Sequence, residues 1–227
     1  MMLKTPLQGL LFDFDGLILD TETPIFKAWG DKFREYGQEL KIEEWAEILG
    51  KSGQELGPIE KFLDSIPEEA KRKEIFKEVS QKELSLVKHQ EPLPGAKELI
   101  KKTKDQGFKL GIVSSSDQEW VHSHLDRIGL LDYFDHTSCS DEVEEAKPNP
   151  ALYKLGLEKM GVSPNKVLVL EDSPNGVLAA KRAGLFCIAV PNSVTKQLPY
   201  FTNGGTPDIV LETLLDFPWD EFMRENR

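Results

Sequence analysis

Cysteine is scarce in this chain of 227 residues, which contains only Cys139 and Cys187. The two lie far apart and lack the spacing of a metal site, so the sequence excludes a disulfide scaffold and a cysteine-based metal centre. We expect two reduced, half-buried thiols in a protein of the cytoplasm. The sequence also contains no internal repeat and no low-complexity tract.

Positive charge is in short supply as well. Lysine and arginine total 28 against 39 aspartates and glutamates, which gives a formal net charge of −11. Nucleic acid and anionic membrane surfaces are therefore poor candidates for partners. The sequence lacks an apolar run long enough for a signal peptide or a membrane span, so we expect no membrane association. If the ligand is an anion, the cations that bind it must be gathered locally.

Short apolar segments alternate with segments of helical character. The candidate strands span residues 9–14, 109–113, 166–171, 186–190 and 208–210. One helix between them has a cap at Ser116-Asp117 and four apolar residues on one face, namely Trp120, Val121, Leu125 and Ile128. Another starts at Ser173-Pro174 and ends at Gly184. This alternation predicts an α/β fold, with a parallel sheet and helices on both sides.

Residues 21–91 interrupt the alternation. They contain no convincing strand and are dense in helix formers, and prolines with a glycine at 92–95 mark the return to the sheet pattern. We therefore predict a core domain of residues 1–20 and 92–227 with an all-helical insertion of residues 21–91. Both connections of the insertion would lie at the rim of the sheet, where the first strand ends.

Polar residues follow the ends of four predicted segments, where open α/β sheets build their sites. They are Asp13 and Asp15, the serines 114–116, Lys147, and the pair Glu171-Asp172. Each has an ordinary explanation when taken alone, such as a solvated turn, a helix cap or a loop lysine. In a strand, however, residues two apart face the same side, so Asp13 and Asp15 would share one location.

Together these residues are suited to one reaction, the transfer of a phosphoryl group. Asp13, Asp15 and Asp172 supply the hard oxygen ligands that suit Mg²⁺. Ser114 and backbone amides at the start of a helix can hold phosphate oxygens, and Lys147 with the metal can offset the charge of a phosphate beside Asp13. Asp13 could then attack phosphorus, while Asp15 protonates the leaving oxygen and later activates water.

The segments DFDGLILDT, IVSS, AKP and EDSPNG resemble, in order and spacing, the four motifs of the haloacid dehalogenase superfamily. The similarity is greatest to its phosphatases and phosphomutases with a helical cap. It implies a Rossmann-like core, Mg²⁺ as cofactor and an aspartyl-phosphate intermediate. Haloacid dehalogenases proper lack the second aspartate, so Asp15 favours phosphoryl transfer.

The resemblance also implies a role for each matching residue. Asp13 would be the nucleophile and Asp15 the general acid and base. The expected phosphate ligands are Ser114, Ser115 and Lys147. The expected metal ligands are Asp13, Asp15, Glu171 and Asp172.

Two alternatives to a phosphatase remain open from the sequence. A mutase similar to β-phosphoglucomutase would carry a histidine near position 25, where this chain has Ile25, and an arginine near residues 50–55, where it has none. A receiver-like module that signals through a phosphorylated aspartate would lack both Asp15 and the helical insertion. Lys51, Ser52 and Lys82 are weak candidates for contacts between the insertion and a substrate, because a solvated helix face is the favoured explanation for them.

The sequence as a whole predicts a cytoplasmic, Mg²⁺-dependent phosphatase. Its partner would be a small phosphorylated metabolite such as a sugar phosphate, and no obligate protein partner is evident. None of the four histidines is assigned to the site, since His122 and His124 do not share a helix face and the other two have no partner by spacing.

Overall fold

Six parallel strands form one sheet in the part of the chain that the structure, a computed structural model, describes: residues 6–46, 57–197 and 205–224. The strand order is β3-β2-β1-β4-β5-β6. This order makes β1 a central strand, because sequential strands run outward from it on both sides. The strands are β1 (Gly9–Phe12), β2 (Lys109–Val113), β3 (His136–Ser138), β4 (Val167–Glu171), β5 (Phe186–Ala189) and β6 (Ile209–Val210).

Strand β1 is buried on both faces, as its continuous apolar sequence requires. Gly9 pairs with Lys109 on one side and with Val167 on the other. Leu10 and Phe12 belong to the hydrophobic cluster on one face of the sheet, and Leu11 belongs to the cluster on the opposite face. The alternation continues past the strand, because Phe14 lies in the same cluster as Phe12.

Helices cover both faces of the sheet, which confirms the doubly wound α/β architecture. The core helices are α5 (Ala96–Asp105), α6 (Gln118–Arg127), α7 (Ala151–Met160), α8 (Pro174–Arg182) and α9 (Trp219–Arg224). Buried residues of α5 and α6 pack in one cluster and those of α7 and α8 in the other. Short 3-10 turns occur at Leu131–Tyr133, Ser140–Glu142, Pro164–Lys166, Thr195–Gln197 and Leu214–Asp216.

The predicted helix starts are confirmed. The side chain of Asp117 accepts a hydrogen bond from the Trp120 amide at 2.8 Å and caps α6. The side chain of Ser173 accepts one from the Gly176 amide at 3.2 Å, and Pro174 opens α8. Both caps satisfy amides that the first turn of a helix leaves without partners.

Strand β3 is the element that the sequence did not predict. Its residues His136, Thr137 and Ser138 are polar, so no apolar run marks it. It forms because it pairs with β2 at the edge of the sheet, where His136 lies opposite Gly111. A Cβ atom on Gly111 would come within 2.3 Å of the His136 ring, so the absence of a side chain at Gly111 admits this neighbour.

Four helices form the insertion between β1 and α5: α1 (Glu22–Glu35), α2 (Ile42–Ala46), α3 (Gly57–Asp64) and α4 (Glu69–Val87). They share a further hydrophobic cluster that also includes Val194 of the core, and in it Phe33 stacks on Phe62 at 4.3 Å between ring centroids. No strand occurs in the described residues of 21–91, which confirms an all-helical cap. The domain boundaries at 20/21 and 91/92 stay a prediction.

The two connections between cap and core lie side by side. Leu19 forms an antiparallel bridge with Pro92, and the Leu93 amide donates to the Ile18 carbonyl at 2.8 Å. Arg127 of the core donates to the Gln90 carbonyl at 3.0 Å and fixes the second connection from outside. The cap therefore joins the core through one narrow, hydrogen-bonded pair of segments.

Both cysteines are fully buried, rather than half-buried as the sequence suggested. Cys139 and Cys187 lie in the hydrophobic clusters on opposite faces of the sheet, where each acts as a small apolar side chain. Burial raises the pKa of the Cys139 thiol to about 12. Among the described helices, none has the length and hydrophobicity needed to span a membrane.

Two glycines differ in how closely other atoms approach them, and this difference allows a test of packing. Gly95 and Gly107 both have positive φ, but a Cβ on Gly95 would lie 2.4 Å from the Leu215 amide nitrogen, whereas one on Gly107 would meet no atom within 4 Å. We expect Gly107→Ala to cost about 1–2 kcal/mol through its backbone conformation alone. Gly95→Ala should cost about 1–3 kcal/mol more, because the neighbouring backbone must move. Urea unfolding of both variants measures the difference, and equal losses would contradict this account.

Candidate active site

The carboxyl end of β1 places two aspartates on one cavity. The Asp13 amide donates to the Leu170 carbonyl at 3.0 Å, which continues the pairing of β1 with β4 for one more residue. Asp13 and Asp15 both line a cavity of about 130 Å³ between the core and the cap. The structure therefore brings together the two carboxylates whose spacing predicted a shared location.

A tight turn carries the chain away from this cavity. Gly16 has φ +78°, and a Cβ atom there would lie 2.4 Å from an Asp172 carboxylate oxygen and 2.5 Å from the Asn192 side-chain nitrogen. Both the positive φ and the close approach require glycine. Gly16 thus lets Asp172 and Asn192 approach the backbone directly behind Asp15.

Lys147 is buried against two carboxylates. Its Nζ donates to Asp13 Oδ1 at 2.5 Å, to Glu171 Oε1 at 2.7 Å and to the Val113 carbonyl at 2.8 Å. Burial alone would lower the pKa of Lys147, but the charges of Asp13 and Glu171 raise it above its usual value. The ammonium group is therefore charged and places a positive charge beside Asp13.

Three buried carboxylates, those of Asp13, Glu171 and Asp172, form a candidate metal site. Each offers an oxygen atom, and these atoms lie within 4.8 Å of one another. Burial raises the pKa of Asp13 to about 8 in spite of Lys147, and burial together with Asp13 and Glu171 raises the pKa of Asp172. A divalent cation would restore the ionised forms, so the oxygen donors fit a hard cation such as Mg²⁺.

Asp15 lies outside that group of carboxylates. Its Oδ2 accepts hydrogen bonds from the hydroxyls of Ser116 at 2.7 Å and Ser114 at 3.3 Å, and its Oδ1 accepts one from Trp120 Nε1 at 2.9 Å. The structure therefore ties Asp15 to the start of α6. Its predicted role as a metal ligand through its side chain stays a prediction.

The serines after β2 differ in their access to the cavity. Ser115 and Ser116 line it, whereas Ser114 is fully buried and accepts a hydrogen bond from the Ser116 amide at 3.0 Å. Of the two serines predicted as phosphate ligands, Ser115 is thus the one that faces the cavity. Ser114 lies beneath it and contacts Asp15.

Two further side chains hold the buried carboxylates, and the sequence did not reveal either of them. The Tyr153 hydroxyl donates a short hydrogen bond to Glu171 Oε1, and the Asn192 amide donates to Asp172 Oδ2 at 2.8 Å and to the Gly16 carbonyl at 3.2 Å. Tyr153 comes from an ordinary helix pattern and Asn192 from a loop. Neither role could be recognised before the chain is folded.

The cap contributes Thr21, Glu22 and Ile25 to the cavity wall. Burial, followed by the charges of Asp15 and Asp13, raises the pKa of Glu22 to about 8. Ile25 lines the cavity at the place where a mutase would be expected to carry histidine. Sequence reasoning missed Glu22, although its position directly after the first connection was a possible signal.

The remaining candidates are placed elsewhere. Lys82 pairs with Asp31 at 2.6 Å on the outer surface of the cap, and Lys51 and Ser52 fall outside the described residues. Of the four histidines, all within the described ranges, none lines the cavity. His124 comes near it, because its ring packs edge-on against Trp120 at 4.4 Å.

The sequence profile of the haloacid dehalogenase-like hydrolase family matches residues 10–190. The chain therefore belongs to this family, as its four motifs indicated. The match begins within β1 and includes the whole cap and every residue of the predicted site.

Relatives along nearly the whole chain are named as phosphatases. The chain is 40% identical over 194 residues to the protein named "Putative phosphatase YhcW" of Bacillus subtilis, covering 86% of this chain and 88% of that protein. It is 33% identical over 190 residues to the phosphorylated carbohydrates phosphatase of Thermotoga maritima, covering 79% and 82%. The prediction of a phosphatase-type enzyme of this family is confirmed.

A solved structure agrees with the fold. CbbY from Rhodobacter sphaeroides, in complex with phosphate, is 27% identical to this chain and aligns with a TM-score of 0.75. The alignment covers 93% of this chain and 96% of that one. The fold of this chain is therefore similar to that of a protein crystallised with phosphate.

The raised pKa of Glu22 predicts a pH-dependent stability for the metal-free protein. The pKa of Glu22 is 4.5 in the unfolded chain and about 8 in the folded protein. The contribution of Glu22 to stability is therefore complete below pH 4.5 and is lost as the pH rises through 8. The stability of Glu22→Gln relative to that of wild type should therefore be greater at pH 8.5 than at pH 5, by on the order of 2 kcal/mol.

Denaturant unfolding in EDTA at the two pH values measures this gain. Glu60→Gln on α3 is the matched control, because Glu60 is exposed. Its stability should follow that of wild type. Parallel pH profiles for Glu22→Gln and wild type would contradict a Glu22 that stays protonated at neutral pH.

Proposed function

We propose that this protein is a Mg²⁺-dependent phosphatase that hydrolyses a small phosphorylated metabolite of the sugar phosphate class through an aspartyl-phosphate intermediate. The observation that carries the proposal is the placement of Asp13, paired with Lys147, in the same cavity as Asp15. The name of the Thermotoga maritima relative supports a carbohydrate phosphate as the substrate class. The two free cysteines are consistent with a location in the cytoplasm.

In the first step Asp13 is the nucleophile. A carboxylate oxygen of Asp13 bonds to phosphorus, the bond between phosphorus and the sugar oxygen breaks, and Asp15 transfers a proton to that oxygen. The products are the free alcohol and a phosphorylated Asp13. Lys147, at 2.5 Å from Asp13, holds the carboxylate in place and offsets negative charge as phosphate approaches.

In the second step Asp15 reverses its role. Its carboxylate takes a proton from a water molecule, the resulting hydroxide bonds to phosphorus, and the bond between phosphorus and Asp13 breaks. Inorganic phosphate leaves, and Asp15 carries the proton that it needs for the next turnover. Ser115 on the cavity wall would hold a phosphate oxygen.

The metal would be held by Asp13 and Asp172, with Glu171 beside them. These carboxylates contribute three negative charges against the single positive charge of Lys147. When bound, Mg²⁺ supplies electrostatic stabilisation of the phosphate charge. Tyr153 and Asn192 keep the carboxylates oriented for this role, since each donates a hydrogen bond to one of them.

Turnover of phosphate esters tests the proposal directly. We expect the wild-type enzyme to release inorganic phosphate from a panel of sugar phosphates in Mg²⁺ and to stop in EDTA. Asp13→Asn should lower kcat about 10⁴-fold or more, since it removes the nucleophile but keeps the shape. Asp126→Asn, an exposed residue of α6, is the control and should retain activity. Substantial turnover by a folded Asp13→Asn variant would rule out the covalent mechanism.

The mutase alternative predicts a different product. A mutase must keep water away from its phosphorylated aspartate until that phosphoryl group passes to a bound sugar monophosphate, and Ile25 offers no proton-transferring group at that point of the cavity wall. We therefore expect β-glucose 1-phosphate, incubated with a catalytic amount of the 1,6-bisphosphate, to yield mainly inorganic phosphate. Faster accumulation of glucose 6-phosphate than of free phosphate would identify a mutase.

A further inference from the structure

The indole of Trp120 reaches the predicted general acid directly. Its Nε1 donates to Asp15 Oδ1 at 2.9 Å, and its ring forms part of the cavity wall. Building on the function proposed above, we infer that Trp120 is a positioning residue, which fixes the Asp15 carboxyl so that its proton is presented to the leaving oxygen.

The chemistry of the donors determines which oxygen carries that proton. An indole N–H can only donate, whereas a serine hydroxyl can rotate and either donate or accept. Oδ1 must therefore remain an acceptor as long as the bond from Trp120 persists. The proton is left to Oδ2, which lies 2.7 Å from the Ser116 hydroxyl and can be released to a substrate oxygen.

Trp120 is itself held on two sides. The Asp117 side chain accepts from its backbone amide at 2.8 Å, which fixes it in the first turn of α6. The His124 ring packs edge-on against the indole at 4.4 Å and stacks on Phe14 at 6.4 Å between centroids. Since Phe14 separates Asp13 from Asp15 in the chain, the packing links the indole to the strand end that carries both aspartates.

His124 contributes no charge to this arrangement at neutral pH. Burial, together with the nearby Arg127, lowers the pKa of His124 below its ordinary value. The imidazole is thus a neutral packing partner for the indole. Among the described side chains, the donors recorded on the Asp15 carboxylate are Trp120, Ser116 and Ser114.

The test compares two esters that differ in their need for a general acid. Phenyl phosphate has a basic leaving group, which must be protonated as it departs, whereas 2,4-dinitrophenyl phosphate releases a stable anion. Both esters carry the same phosphate group, so a change in phosphate binding affects both of them. The value of kcat/KM covers the steps up to departure of the leaving group and isolates the proton transfer from the later hydrolysis.

Trp120→Phe removes the N–H but keeps an aromatic ring. We expect kcat/KM for phenyl phosphate to fall about 10- to 100-fold, as for a lost hydrogen bond to a charged group, and kcat/KM for the dinitrophenyl ester to fall less than about 3-fold. The ratio of the two values does not depend on the fraction of active enzyme, so partial unfolding of the variant does not obscure the result. Trp219→Phe, which changes an indole packed edge-on against Phe217, should leave the ratio unchanged.

A second comparison establishes that Trp120 acts through Asp15. In an Asp15→Asn background, Trp120→Phe should change kcat/KM for phenyl phosphate less than about 2-fold, because coupled residues do not contribute independently. Equal losses on both esters, or a full additional loss in the Asp15→Asn background, would overturn the role of Trp120 and leave the phosphatase proposal intact. A wild-type enzyme inert toward these esters and toward the sugar phosphates alike would instead overturn the proposed function, and this inference with it.

Discussion

The contact between Lys147 and the carboxylates of Asp13 and Glu171 is the interaction on which the site depends. An ammonium group and two carboxylates are costly to bury singly, and removing one would leave uncompensated charge in the interior. Together they hold the ends of β1 and β4 and the loop of Lys147 in one arrangement. The net charge of this cluster remains negative when all its members are ionised, and this excess makes a divalent cation favourable.

Much of the fold could be predicted from the sequence, because the patterns that indicate strands and helices lie in short segments of the chain. Apolar runs predicted every strand except β3, whose polar residues pair only because the edge of β2 is available. The strand-end motifs likewise located the aspartates and Lys147. Glu22, Tyr153 and Asn192 could not be recognised in this way, because each acts through a neighbour that only folding supplies.

Trp120 shows how one residue can satisfy two patterns. Its spacing with Val121 and Leu125 predicts a buried helix face, and the structure confirms that it packs against the hydrophobic cluster. The indole nitrogen, however, points toward Asp15, whose position depends on the turn at Gly16. A sequence pattern of apolar residues therefore does not reveal the polar contact of a residue such as Trp120, whose largely apolar side chain carries a hydrogen-bond donor at its far end.

The central position of β1 has a consequence for biosynthesis. Asp13 and Lys147 are 134 residues apart in the chain, and β1 pairs with strands that emerge from the ribosome only after the entire cap. Contacts of such long range form late, whereas the cap helices α1 and α4, which pack against each other, lie within one continuous segment of the chain. A nascent chain therefore carries an unpaired apolar strand while its cap can already fold, and this strand is the segment most in need of protection from aggregation.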